Sequence, residues 1–146
     1  MSDAGDALSV TWAAASKGLF RKDGTAQGVA KQRCIETEAL PEKQVINDPY
    51  AALFVKGSSI IKCMGHNTNL WLSDKVVPGM HAHLIARTRA IDELVKEQAA
   101  GGATQCLILG AGYDMRAYRL ELPSALKVYE VDQLEVQEIK KSKVRP

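Results

Sequence analysis

The chain has 146 residues, of which 46% are hydrophobic and 25% charged, and its formal net charge is +2 at pH 7. This length suits one domain, and the composition is ordinary for a globular protein in water. The small net charge argues against nucleic acid and against a membrane surface as partners, so we expect a mixed, solvated surface.

The cysteines and the N-terminal residues indicate the cellular compartment of the protein. Cys34, Cys63 and Cys106 are odd in number and widely spaced, which argues against a disulfide framework or a zinc site and favours reduced thiols. Asp3 and Asp6 stand where a secretory signal would be basic, and no run approaches the roughly 20 apolar residues of a membrane span. We therefore predict a cytoplasmic protein, although the sequence contains no signal that specifies this location.

The first third of the chain predicts helices. Residues 1–24 are small and polar, and they predict a loose segment or a weak helix. Residues 25–39 predict a helix, with Thr25 as a possible N-cap and Pro41 beyond its end. Within it, we expect Arg33 to be a solvent-facing cation.

A turn and a second helix start follow. Asp48 can cap a helix whose first position is Pro49, and residues 51–55 then predict a short buried helix. Residues 57–79 alternate between apolar clusters and glycine-containing stretches, and their pattern predicts no definite element.

The clearest predicted helix is Met80–Ala100, with Gly101 and Gly102 as its stop. Its apolar positions recur at intervals of three and four residues and include Leu84, Ile91, Leu94 and Val95. His81 and His83 are two residues apart, so on a helix they point to different sides, and we predict no metal site there.

Two arginines lie in the middle of this helix. Arg89 can pair with Glu93 four residues on. A guanidinium presents a planar fork that matches a carboxylate, which gives Arg87 a possible binding role. From the residues alone, both could equally be solvated helix charges.

The stretch Gln105–Asp132 carries the chemistry. Residues 104–109 predict a strand that ends in Gly110-Ala111-Gly112, residues 115–120 a short helix, and residues 127–131 a second strand followed by Asp132. This order is typical of the first βαβ unit of a nucleotide-binding fold, in which the two strands are parallel. The acid follows the turn by 132 − 112 = 20 residues, the spacing at which a carboxylate binds ribose hydroxyls.

The glycine pattern departs from the dinucleotide fingerprint. Met115 stands where a third glycine would be expected, and Asp114 would repel a pyrophosphate. A nucleoside without phosphates, of which S-adenosylmethionine is the common example, is therefore favoured over NAD or FAD. The candidate cofactor-binding residues in this stretch are Gly110, Ala111, Gly112 and Asp132.

The chain closes with a predicted helix over residues 133–144, in which Leu134, Val136 and Ile139 are apolar. Its basic residues Lys140, Lys141, Lys143 and Arg145 are expected to be cations favourably placed at a helix C-terminus.

Three pieces of the sequence resemble the leucine carboxyl methyltransferase family: residues 86–92 (ARTRAID), 109–120 (LGAGYDMRAYRL) and 129–133 (YEVDQ). They are most similar to its branch of S-adenosylmethionine-dependent O-methyltransferases, and the match runs from about Thr25 to the end. The resemblance implies an α/β fold, with a helical cover region at residues 1–79 and the start of a Rossmann-like cofactor domain at residues 80–146. It also implies that Arg87 holds the methionine carboxylate of S-adenosyl-L-methionine.

Members of that family are roughly twice as long, so the resemblance implies that this sheet is incomplete. We expect methyl transfer to an oxygen of an unidentified acceptor in the full-length relatives, and little or no turnover by this chain alone. No residue here is predicted as a catalytic base. The alternatives are a non-catalytic cofactor-binding or interaction remnant and, less favoured, a fragment of an NAD(P)-dependent oxidoreductase.

Overall fold

A computed structural model describes residues 24–144. The predicted loose segment therefore lies outside the described residues, apart from Gly24, at which the first helix begins. In chain order the elements are α1 (Gly24–Thr37), a 3₁₀ helix (Ala51–Phe54), α2 (Ser58–Val76), α3 (Met80–Ala100), β1 (Gln105–Leu109), α4 (Arg116–Arg119), β2 (Lys127–Val131) and α5 (Leu134–Val144). No helix within residues 24–144 combines the length and the apolar character that a membrane crossing requires.

The two strands form a parallel pair, as predicted. Their register runs from Gln105 opposite Lys127 to Leu109 opposite Val131. Side chains alternate between the two faces of such a sheet. One face is partly covered by the rest of the chain, whereas the other face presents apolar side chains to solvent. This open face consists of Leu107, Leu109, Tyr129 and Val131.

The main apolar cluster joins both ends of the described chain. Ala30 of α1 and Phe54 of the 3₁₀ helix pack with Tyr113, Met115 and Val136. The rings of Phe54 and Tyr113 stack, with centroids 4.4 Å apart. Residues on both sides of the predicted boundary at 79/80 thus share one core, and they bring α1 against the loop that follows β1.

Residues 57–79, which predicted no definite element, form α2. The helix is interrupted at Gly65, whose backbone is left-handed and extended (φ 72°, ψ 168°). A residue with a Cβ adopts that conformation at a cost, so glycine allows the chain to change direction there. The following residue, His66, is turned toward α1 and α3.

Helix α3 has the predicted bounds, and its apolar positions Leu84, Ile91 and Val95 are partly buried, but the fourth, Leu94, is not. Leu94 is 55% exposed. The positions that face the interior carry several polar side chains, which can be buried because they have partners on neighbouring elements. These buried residues are His81, Ile85, Thr88, Asp92 and Ala99.

The prediction that Arg33 faces solvent is wrong. Arg33 is only 6% exposed. Its Nε donates to Asp48 Oδ2 at 2.7 Å, and its Nη2 donates to the carbonyl oxygen of Tyr113 at 2.6 Å. A guanidinium is buried when its donors are paired in this way.

The prediction that Asp48 caps the start of a helix is confirmed. Its Oδ1 accepts the backbone N–H groups of Tyr50 at 3.2 Å and Ala51 at 3.1 Å. The helix that it precedes is a single 3₁₀ turn, with Ala51 and Phe54 buried and Leu53 exposed. Asp48 therefore both starts this turn and neutralises Arg33.

Candidate functional site

A cleft of about 510 Å³ opens at the carboxyl ends of β1 and β2. Its walls come from the first two turns of α1, the middle of α3, the loop after β1 and the start of α5. In parallel α/β sheets, ligands bind at this end of the strands. All five sequence-predicted binding residues line it: Arg87, Gly110, Ala111, Gly112 and Asp132.

The glycine turn is fastened to the end of β2. Both Gly110 N–H and Ala111 N–H donate to the carbonyl oxygen of Val131, at 2.8 and 3.2 Å. Gly112 N–H donates to Asp132 Oδ2 at 2.6 Å. The turn and the acid, 20 residues apart in sequence, are therefore in direct contact, as the nucleoside interpretation requires.

Asp132 is held in place and still has acceptor capacity. Its second oxygen, Oδ1, accepts the N–H of Gln133 at 2.6 Å. An ionised carboxylate offers about four lone-pair positions, and these two bonds use only part of them. The half-buried side chain also lines the cleft, so it can accept hydrogen bonds from hydroxyl groups of a ligand.

The two turn glycines predict different mutational costs. Gly110 (φ 64°) and Gly112 (φ 50°) both have left-handed backbones, which cost an alanine about 1–2 kcal/mol. A Cβ on Gly110 would meet nothing within 4 Å, whereas a Cβ on Gly112 would lie 3.1 Å from the Cβ of Ala26. We expect Gly112→Ala to lower the free energy of unfolding by roughly 1 kcal/mol more than Gly110→Ala, measured by urea denaturation. Equal losses in the free energy of unfolding would show that α1 can move away at Ala26 without loss of stability.

Arg87 and Arg89 differ in their partners. Arg89 Nε forms the predicted ion pair with Glu93, and its Nη1 donates to the carbonyl oxygen of Val45 at 3.0 Å. Arg87 is exposed at the cleft. Within residues 24–144 it makes no hydrogen bond and no ion pair. Its guanidinium is therefore the cation of this wall that is left for an anionic ligand group.

A buried arginine–aspartate network, which was not predicted from sequence, supports the floor of the cleft. Besides the two bonds of Arg33 described above, Arg119 Nε lies 3.8 Å from Asp48 Oδ2 and Arg119 Nη2 donates to Asp92 Oδ2 at 2.6 Å. The network (Arg33, Asp48, Arg119 and Asp92) thus joins α1, α3 and α4. Through Arg33 it also fixes the carbonyl of Tyr113, a residue of the cleft wall.

Two further charged residues line the cleft. Asp114 Oδ1 accepts the N–H of Arg116 at 2.9 Å, and Asp114 Oδ2 lies 3.1 Å from Arg116 Nε. From the sequence, Asp114 is predicted to repel a pyrophosphate, whereas Arg116 is assigned no role. Asp114 does lie in the cleft wall, but its ion pair with Arg116 offsets the charge on which that argument relies.

Lys140 was predicted only as a cation at the C-terminus of the last helix, but it is a buried residue with partners outside that helix. Lys140 is 2% exposed. Its Nζ donates to Glu130 Oε2 at 2.6 Å and also to the carbonyl oxygen of Asp114.

Burial, together with Glu130, raises the pKa of the nearby Tyr118 phenol. Tyr118 is therefore protonated at neutral pH and supplies no phenolate base.

Comparisons with known proteins agree with this geometry. Residues 26–146 match the sequence model of the family described as leucine carboxyl methyltransferase. A protein of Mycobacterium marinum, named "Putative S-adenosyl-L-methionine-dependent methyltransferase", is 34% identical over 147 residues, a match that covers 94% of this chain and 46% of the relative.

Two other relatives carry the same kind of name. A Mycobacterium tuberculosis protein is 37% identical over 130 residues, covering 83% of this chain and 41% of the relative. A Streptomyces avermitilis protein is 32% identical over 118 residues, covering 74% of this chain and 38% of the relative. The chain thus spans less than half the length of the curated relatives it matches.

Proposed function

The chain belongs to the leucine carboxyl methyltransferase family, and on that premise we propose that its cleft binds S-adenosyl-L-methionine for methyl transfer to an oxygen acceptor. The observation that carries this proposal is the 2.6 Å hydrogen bond between Gly112 N–H and Asp132 Oδ2. It places a glycine turn and an acid side by side at the carboxyl ends of two parallel strands, the arrangement that binds the ribose of a nucleoside cofactor.

We assign a role to each candidate residue. Asp132 accepts hydrogen bonds from the two ribose hydroxyls. Gly110, Ala111 and Gly112 allow the ligand to approach the backbone closely. Arg87 binds the methionine carboxylate. In this proposal residues 80–146 are the beginning of a Rossmann-like cofactor domain, and residues 1–79 are the helical region that covers it.

The contribution of these residues to catalysis is positioning. S-adenosyl-L-methionine, when bound, supplies a methyl group that its sulfonium already activates. An oriented donor and acceptor react faster because the entropy of bringing them together has been lost on binding. A carboxylate acceptor, with a reference pKa near 4, is ionised at neutral pH and requires no base, whereas a hydroxyl acceptor requires one.

Two features favour this function over nicotinamide-dependent oxidation. Met115, at the position of the third fingerprint glycine, is fully buried in the main apolar cluster. Its side chain occupies the space that close helix–strand packing over a pyrophosphate would need. Asp114 occupies the guanidinium of Arg116 in the same wall, so that cation is already paired and is not free for a pyrophosphate.

The direct test is a calorimetric titration of the 146-residue chain with S-adenosylhomocysteine and, separately, with NADH. We expect saturable binding of S-adenosylhomocysteine and none of NADH. The reverse order would contradict the proposal. A parallel assay with methyl-labelled donor should show little or no turnover by this chain alone, and robust turnover would contradict that expectation.

Arg87 offers a sharper test of the binding mode. We expect Arg87→Met to weaken S-adenosylhomocysteine binding about tenfold, because a charge-assisted hydrogen bond to a carboxylate contributes about 1.5–3 kcal/mol. Methylthioadenosine has the same nucleoside without the amino-acid carboxylate, and its affinity should stay unchanged. Arg89→Met is the matched control and should alter neither affinity. Equal weakening of both ligands by Arg87→Met would exclude the carboxylate contact.

A further inference from the structure

A second polar cluster lies among the three long helices, and none of its members lines the cofactor cleft. It consists of Glu36 on α1, His66 on α2 and His81 on α3. Glu36 Oε2 is 3.1 Å from His81 Nε2 and 3.4 Å from His66 Nε2. The three ligand-type atoms all lie within 4.8 Å of one another. His83, which the sequence pairs with His81, is exposed and lies outside this cluster.

The carboxylate is oriented before any ion arrives. Glu36 is buried, and its Oε1 accepts the backbone N–H of Val45 at 2.7 Å. That bond fixes the carboxylate plane and leaves Oε2 directed at both imidazoles. A ligand held by a neighbouring hydrogen bond loses less entropy on binding a metal, and such supporting bonds are a regular feature of metal sites.

The imidazole of His81 is oriented in a similar way. Its Nδ1 lies 2.9 Å from the side-chain oxygen of Gln32, which also accepts the hydroxyl of Ser73 at 3.2 Å. An oxygen acceptor at Nδ1 selects the tautomer that carries its proton on Nδ1. In neutral His81 the lone pair is therefore on Nε2, which faces Glu36.

His66 has an unsatisfied nitrogen at the same point. Its Nε2 is buried and has no hydrogen-bond partner among residues 24–144. The nearest carboxylate oxygen, Glu36 Oε2 at 3.4 Å, does not meet hydrogen-bond geometry with it. Two imidazole nitrogens and one carboxylate oxygen thus converge, and a cation between them would satisfy all three.

We propose that Glu36, His66 and His81 bind a divalent first-row transition ion, with Zn²⁺ as the leading candidate. Zinc–ligand bonds of about 2.0–2.1 Å in a tetrahedron separate neighbouring ligands by about 3.3–3.4 Å. The separation of 3.4 Å between Glu36 Oε2 and His66 Nε2 matches that value. The separation of 3.1 Å between Glu36 Oε2 and His81 Nε2 is slightly shorter, so small side-chain shifts would complete the geometry. Imidazole donors favour Zn²⁺, Ni²⁺ or Cu²⁺ over Mg²⁺ and Ca²⁺, and a water completes the fourth position.

This ion would join three helices that are otherwise held by side-chain packing and by the hydrogen bonds of Gln32 to Ser73 and His81. Each of the two histidines follows a left-handed glycine: His66 comes after Gly65 (φ 72°), and His81 is two residues beyond Gly79 (φ 74°). The changes of chain direction at these glycines bring α2 and α3 together at the cluster. The site does not depend on the cofactor cleft, so it can exist whether or not the proposed function is correct.

The test uses the chain freed of metal with a chelator. Co²⁺, a spectroscopic substitute for Zn²⁺, should give a visible ligand-field band at one equivalent, and Zn²⁺ should abolish it by displacement. At about 100 times its Kd, Zn²⁺ should raise Tm by about 5–10 °C, and Mg²⁺ should not. His66→Gln should remove both effects, whereas His83→Gln, the control that loses the remaining histidine of the chain, should keep them.

Each result decides the proposal. The His66 side chain is partly exposed, so His66→Gln should fold. Its circular dichroism spectrum would verify this. Glu36→Gln provides a second variant, which should weaken Zn²⁺ binding at least tenfold. No band and no Tm shift in the native chain would overturn the proposal, and so would an unchanged response in His66→Gln.

Discussion

Asp48→Ala should lower the free energy of unfolding by about 3–5 kcal/mol, the range observed when one partner of a buried ion pair is removed. Asp48 is 1% exposed. It accepts a hydrogen bond from Arg33, lies close to Arg119 and also accepts two backbone N–H groups at the start of the 3₁₀ helix. Without it, the buried guanidinium of Arg33 would lose its carboxylate partner, and Arg119 would keep only Asp92.

The matched control is Glu93→Ala. Glu93 also pairs with an arginine, but both side chains of that pair are more than half exposed, and exposed pairs contribute about 0–1 kcal/mol. Urea denaturation followed by circular dichroism gives both values. If the two substitutions cost the same, Asp48 is not the centre of the arginine–aspartate network.

Asp132→Ala should weaken the binding of S-adenosylhomocysteine at least 100-fold, which corresponds to about 2.7 kcal/mol. Two hydroxyl groups of a ribose would each lose a charge-assisted bond of about 1.5–3 kcal/mol. Adenosine should lose affinity by the same factor, because the lost contact is to the sugar. In this respect Asp132→Ala differs from Arg87→Met, which should spare ligands without a carboxylate.

Two further variants separate binding from folding at this position. Asp132→Asn keeps an oxygen that can accept the N–H of Gly112, so it should retain the turn and lose only part of the affinity, about tenfold. Glu138→Gln changes an exposed acid of helix α5, which follows Asp132 in the chain, and should leave the affinity unchanged. Full affinity in a folded Asp132→Ala protein would contradict the assignment of the ribose contact.

The part of the fold that could be predicted from sequence depends on local signals. Short apolar runs that end in glycine or in an acid gave β1 and β2, and the spacing between Gly112 and Asp132 gave their contact. Helix α3 was predicted with its correct ends because two glycines follow it and its apolar residues recur at intervals of three and four between Leu84 and Val95. Each of these signals is contained within a few neighbouring residues.

The polar interior could not be predicted, because its partners are distant in sequence. Arg33 bonds to a carbonyl 80 residues away, and nothing in its own helix distinguishes it from a surface cation. Lys140 lies in a run of basic residues that is typical of a solvated tail, yet its partner Glu130 is in a strand. The only local hints were the Asp48-Pro49 cap and the closely spaced arginines of α4.

The histidine cluster illustrates the same point. His81 was considered with its neighbour two residues away, where helix geometry excludes a shared ion. Its actual neighbours are 45 residues earlier, at Glu36, and 15 residues earlier (81 − 66), at His66. The contact of His66 with Glu36 depends on the kink at Gly65. Hydrophobic periodicity does not predict that kink, because it treats glycine only as a weak helix former.

The open face of the sheet has a practical consequence for purified material. Four adjacent apolar side chains, Leu107, Leu109, Tyr129 and Val131, contact water on two neighbouring strands, and patches of this kind promote self-association. The apparent molar mass from light scattering should therefore increase with protein concentration even when the sample is correctly folded. Titrations are best performed on dilute samples, since aggregation would otherwise be mistaken for weak or incomplete ligand binding.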